Sequence, residues 1–95
     1  MTKKPKYIYC VRKADSEDCI EYTIGVFSTP KNAYELGILP MLNDYGIDSS
    51  EVIMDLKNVI KFFKDDESHN QAIVYSGGEY IFDIFREILD VNSYY

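Results

Sequence analysis

The sequence predicts a small α+β domain: a mainly antiparallel sheet with two to three helices packed on one face. Three observations carry this expectation. Two apolar segments, Tyr7 to Val11 and Ile20 to Phe27, flank a polar turn and read as a β-hairpin. Thr29-Pro30 and the pair Asp48 and Glu51 are helix starts. A short β-branched run, Ala72 to Tyr75, supplies a third strand.

The 95 residues, 46% hydrophobic and 27% charged, suit one domain over residues 1–95 with a single core. No window approaches the roughly 18 consecutive apolar residues of a membrane span. Met1 to Lys6 is basic, but no small-residue cleavage site follows, so a cytoplasmic protein is expected. Cys10 and Cys19 read as unpaired structural thiols in such a compartment, and with the lone His69 they fall short of a zinc set.

In order, Tyr7 to Val11 is continuously apolar, as in a strand covered on both sides or placed centrally. Residues 14–18 form the turn. In the second strand, period two puts Ile20, Tyr22, Ile24 and Val26 on one face, opposite Glu21, Thr23 and Gly25. Thr29 caps a helix that carries Tyr34, Ile38, Met41, Leu42 and Tyr45 on one stripe, with Ala33 and Leu36 beside it. Gly37 and Pro40 predict a kink or two short helices, and Gly46 fits the left-handed position past the end.

The capping box at Asp48 predicts a second helix through about Lys64. Its buried face would hold Val52, Ile53, Leu56, Val59, Ile60 and Phe63, and its solvated face Lys57, Lys61 and Lys64. Residues 65–70 are a polar connector. After Ala72 to Tyr75, Ser76-Gly77-Gly78-Glu79 allows either a Gly-Gly hairpin into a fourth strand or a capped C-terminal helix. The spacing of Ile81, Ile84, Phe85 and Ile88 favours the helix, with Asp83, Arg86, Glu87 and Asp90 on its other face.

Charge divides unevenly within the formal net of −6. Lys3, Lys4, Lys6, Arg12 and Lys13 precede the first acid, and all 16 acids share the remainder with five bases. That body would repel a nucleic-acid backbone, so direct nucleic-acid binding is not expected, and a basic protein partner is. Nine Tyr and five Phe without Trp add large contact area at low entropic cost. Tyr22 and Tyr34 fall on predicted buried faces, whereas Tyr45, Tyr80, Tyr94 and Tyr95 are expected to be partly exposed.

Motifs for chemistry are weak. Ser76 to Gly78 could cradle an anion only if a helix follows, and Glu79 would compete for the place. Asp65, Asp66 and Glu67 lack calcium-loop spacing, and no nucleophile, base and orienting group are grouped. Neither catalysis nor a cofactor is expected.

Tyr7 to Val11, then Glu21-Tyr22-Thr23-Ile24-Gly25-Val26-Phe27-Ser28-Thr29 and Ala33, resemble a pattern in small uncharacterised phage and bacterial proteins. In these a hairpin ending Gly-Val-Phe-Ser or Gly-Val-Tyr-Ser leads into a helix. The resemblance covers the first 37 residues or so and implies a hairpin-plus-helix sheet core, with no catalytic residues to carry over. By type, the acidic Lys/Ile/Asn/Tyr-rich chain is also similar to phage-encoded inhibitors such as anti-CRISPR proteins.

The expected function is therefore non-enzymatic binding: an inhibitor that, like a DNA mimic, occupies the basic face of a host nuclease or other defence protein. The candidate contacts are Asp15, Glu17, Asp18 and Glu21 at the hairpin, Asp65, Asp66 and Glu67, then Asp83, Glu87 and Asp90, with Tyr94 and Tyr95. The alternatives are a small-ligand or nucleotide sensor using Ser76, Gly77 and Gly78, and a structural module in which exposed tyrosines pair two copies.

Overall fold

The computed structural model describes residues 6–15 and 20–89. Four antiparallel strands, β1 (Lys6–Asp15), β2 (Ile20–Phe27), β3 (Gln71–Gly77) and β4 (Tyr80–Leu89), form one sheet in the order β2-β1-β4-β3. Its helices lie on one face, giving the two-layer α+β architecture that the sequence predicts.

The first and last strands form the centre. β1 and β4 pair without a break from Lys6 opposite Leu89 to Asp15 opposite Tyr80. Residues 80–89 are thus a strand, not the helix that their apolar spacing favours. β4 has an apolar side on both faces: Phe82 and Ile84 are fully buried under the helices, while Ile81 and Phe85 point the other way. A strand apolar on both sides loses its alternation and imitates a helix. Gly78, with φ +57°, makes the tight β3–β4 turn.

Two bulges re-aim the edge strands. Val11 faces Gly25 and Arg12 faces Thr23, so Ile24 is an extra residue in β2. Beyond it the faces exchange: Phe27, Gly25 and Tyr22 share the helix side with Tyr9 and Val11, whereas Val26 joins Thr23 and Glu21 on the open side. The single apolar face predicted for β2 is therefore split. In β3, Val74 is the extra residue; it is fully buried, and its carbonyl accepts the amides of Ile53 (2.7 Å) and Met54 (3.4 Å).

Thr29 caps the first helix through Asn32 N–H (3.1 Å), with Pro30 at its first position. The helix runs on without a break through Pro30–Asn32, a π-helical segment Ala33–Ile38 and Leu39–Asp44. Its buried residues, Ala33, Tyr34, Gly37, Ile38, Met41 and Leu42, recur every four positions. In an α-helix that stripe would rotate by about 40° per repeat. The wider π turn absorbs the drift; Gly37 lies inside it, and Pro40 stands at the start of the short helical segment Leu39–Asp44 that follows. Leu36 faces solvent at 63% exposure. The helix ends as expected at Gly46 (φ +67°), with Ile47 N–H donating to Leu42 O and Gly46 N–H to Asn43 O.

The Asp48–Glu51 capping box is present but opens only the 3₁₀ turn Ser49–Glu51. The chain then extends so that Ile53 and Met54 reach Val74, and the second helix, Leu56–Asp65, starts at its own cap, Asp55. Val59 and Phe63 face the core; Ile53 and Ile60 are exposed, and Lys57, Lys61 and Lys64 are solvated. The polar connector is well tied down. Arg86, 6% exposed, donates to the carbonyls of Phe63, Asp66 and His69, and lies over the rings of Tyr7 and Phe63. That cation closes the negative end of the helix. His69 stacks on Phe62 with centroids 4.1 Å apart, its Nδ1 2.9 Å from the Phe62 carbonyl.

The two layers meet most tightly at Gly37, where an added Cβ would lie 2.6 Å from Val11 Cγ2 and 3.0 Å from Phe27 Cε2. Gly37→Ala should therefore destabilise by about 1–3 kcal/mol through overpacking, although the same change in a free helix would stabilise by about 1 kcal/mol. Urea unfolding reads the sign directly.

Candidate functional site

The turn end of the sheet gathers tyrosines around one cation. Lys13 continues the helix-side row of β1 past Tyr9 and Val11, between Tyr22 of β2 and Phe82 of β4. Tyr80 follows on the same side of β4, and Tyr45 arrives from the end of the first helix, its ring edge-on to Tyr80 (4.8 Å) and Phe82 (5.5 Å). The Lys13 ammonium lies 5.2 Å, 5.3 Å and 5.4 Å from the ring centroids of Tyr22, Tyr45 and Tyr80. It donates to the Tyr45 hydroxyl at 2.8 Å.

Tyr22 and Tyr80 offer their π-electrons and Tyr45 its hydroxyl oxygen at the ring edge, so the group selects a cation. The hydrogen bond to Tyr45 holds the Lys13 ammonium above its ordinary value of 10.5; partial loss of water opposes it and the Asp15 carboxylate adds to it. Tyr22 and Tyr45 remain 43% and 39% exposed, so this is a surface and not a closed cage. Asp15 and Glu79 stand beside it: Asp15 pairs with Tyr80 in the ladder and Glu79 precedes it in the turn.

The other predicted contacts separate. Asp83 is 4% exposed, bound by Arg12 Nε at 3.0 Å and Nη2 at 2.9 Å and by Gln71 Nε2 at 2.6 Å, so its charge is spent inside the protein and it is no partner contact. Glu21, half exposed, lies 3.3 Å from the same guanidinium, which stacks on Phe85. Asp65, Asp66, Glu67 and Glu87 are exposed at the opposite end of the sheet, and Asp66 accepts Ser68 N–H and Oγ–H. The exposed acids therefore gather at two ends of the sheet rather than in one patch. Glu17, Asp18, Asp90, Tyr94 and Tyr95 lie outside the described residues, as does Cys19.

The anion cradle at Ser76, Gly77 and Gly78 loses its basis, because a strand and not a helix N-terminus follows. A groove of ≈ 360 Å³ beside Arg86 includes Glu67, His69 and Glu87, but the guanidinium there already serves three carbonyls. Burial, then nearby Glu87, pushes the Cys10 thiol up, away from thiolate chemistry. Among the described residues no three of His, Cys, Asp and Glu are grouped to hold a metal, and no helix is long and apolar enough to cross a membrane.

Sequence reasoning named Tyr45 and Tyr80 as partly exposed but put Tyr22 in the core and missed Lys13. The available signal was Lys13 two residues beyond Val11, on the same side of an apolar strand.

Tyr45→Phe should return the Lys13 value towards 10.5, followed by the carbon-13 shift of Lys13 Cε during a pH titration. A raised native value stabilises the fold fully below the unfolded value and less as pH rises through the native one. The variant should therefore lose less stability than the parent across that alkaline window. Comparison with protein-family models, curated proteins and solved structures gave no match.

Proposed function

We propose that this chain is a non-enzymatic binding protein that receives a lysine- or arginine-bearing segment of another protein on the tyrosine-rich turn end of its sheet. The observation that carries the reading is the Lys13 ammonium ringed by Tyr22, Tyr45 and Tyr80. A surface that holds its own cation between two rings and a phenol oxygen suits a partner's cation as well, because the exposed parts of Tyr22 and Tyr45 leave room for a guanidinium to stack. Lys13, on a flexible stem, can swing aside. The net charge of −6 steers a basic partner towards the protein, and Asp15 and Glu79 supply the acidic rim.

The basic nucleic-acid channel of a host defence protein is a partner with that chemistry. A cytoplasmic phage or mobile-element inhibitor that fills such a channel is the form of this function that the chain's size and composition favour.

The test is calorimetric titration with an arginine-rich peptide at low and high salt. Binding should weaken with salt, and Tyr22→Ala with Tyr45→Ala should weaken it at least tenfold in protein that circular dichroism shows to remain folded. Affinity indifferent to both tyrosines would refute the reading.

A further inference from the structure

The two edges of the sheet are treated differently. At β3 the carbonyl of the bulged Val74 accepts the amides of Ile53 and Met54, so that edge is already occupied. At β2, among the described residues, no backbone group pairs with the outer edge of Ile20–Phe27. Edges that must stay single usually carry lysine or proline, and this strand has neither. The Ile24 bulge divides the edge and leaves Ile20 to Thr23 as a regular run. We propose, resting on the cation-binding reading above, that the partner's basic segment adds to this run as an extended strand. It presents two adjacent cationic side chains, one against Tyr22 and the next against Glu21.

Neighbouring residues of a strand point to opposite sides, so Tyr22 and Glu21 address different faces. Tyr22, on the helix side, is 43% exposed; Lys13 of β1 lies on its inner flank, and no described strand lies on its outer flank. A guanidinium arriving along the edge reaches that ring from the outside. On the open side, the Arg12 cation stands against two carboxylates, Asp83 and Glu21, which leaves one negative charge in excess. Asp83 is buried and fully bonded, so the excess is offered at Glu21, whose side chain is 48% exposed.

A strand paired with β2 alternates in the same way. The residue opposite Tyr22 falls on the helix side, and its neighbour opposite Glu21 falls on the open side. Two basic residues in succession therefore meet both groups, whereas two separated by one residue share a face and meet only one. Backbone pairing supplies affinity without regard to sequence, and the alternating cations supply the selection.

Titration of the full chain with short synthetic peptides tests this. A Thr/Val peptide with adjacent arginines should bind about threefold more tightly than its isomer with one threonine between them, and Glu21→Gln should abolish the difference. Methylating every second backbone nitrogen of the peptide should weaken binding by about tenfold in one alternation and by less than about twofold in the other, because only one set of amides faces β2. In the protein, amide hydrogen exchange should slow at alternate residues between Ile20 and Thr23. Equal binding of the two methylated sets, still lost in Tyr22→Ala with Tyr45→Ala, overturns strand addition and leaves the cation-binding reading intact. A preference for the separated arginines overturns the inference as well, and binding of no peptide overturns both.

Discussion

The uninterrupted pairing of β1 with β4 is the constraint on which this protein is built. It joins residues near opposite ends of the chain, and both other strands hang on it as edges. Closing so long a loop is entropically costly before any contact rewards it. The return comes from Val11, Phe82 and Ile84, fully buried side by side under the first helix, and from Gly37, which lets that helix descend onto Val11. The β3–β4 turn and the Val74 bulge then bring the second helix and the 53–54 segment over the remaining part of the core.

What the sequence revealed and what it hid divide along the same line. Thr29-Pro30, Gly46 and the Asp48–Glu51 box are local devices, satisfied within five residues, and all are present. The Asp48 box misled only in extent, because the amides of Ile53 and Met54 were claimed by a carbonyl on β3 that no local reading could foresee. β4 looked helical since both its faces are apolar for unrelated reasons, one being core and one open surface. The split of β2 came from a single extra residue at Ile24, which period-two reading cannot detect. Asp83 looked like a surface acid because its partner, Arg12, is 71 residues away.

The candidate site was legible in its materials and not in its arrangement. Exposed tyrosines and a negative body were both apparent in composition. The focus on Lys13 required two registers and a helix end to coincide: Tyr22 from one ladder, Tyr80 from the other, and Tyr45 from the turn closed by Gly46. The acidic groups, by contrast, were over-read as a set. Burial removed Asp83, and the strand direction sent Asp65, Asp66, Glu67 and Glu87 to the far end.

The buried ion pair connects the fold to both surfaces. A pair taken out of water adds little net stability, since desolvation offsets its Coulomb attraction. Its effect is on register. Slipping β1 by one residue against β4 would carry Val11 out of the core, drive the Arg12 cation into it and cost Asp83 its two hydrogen bonds from that guanidinium, although Lys13 would then share the Asp83 side of the sheet. The penalty of such a slip is the charge placed in the core more than any net strength of the native pair. The same exclusion holds Lys13 between Tyr22 and Tyr80 on one side of β1, and Ala14 opposite Ile81 on the other. One strand, held in one register, thereby sets out two surfaces with different physics: an acid-rimmed, tyrosine-rich end suited to cations, and an open face on which apolar side chains alternate with polar ones around the Arg12–Asp83 pair.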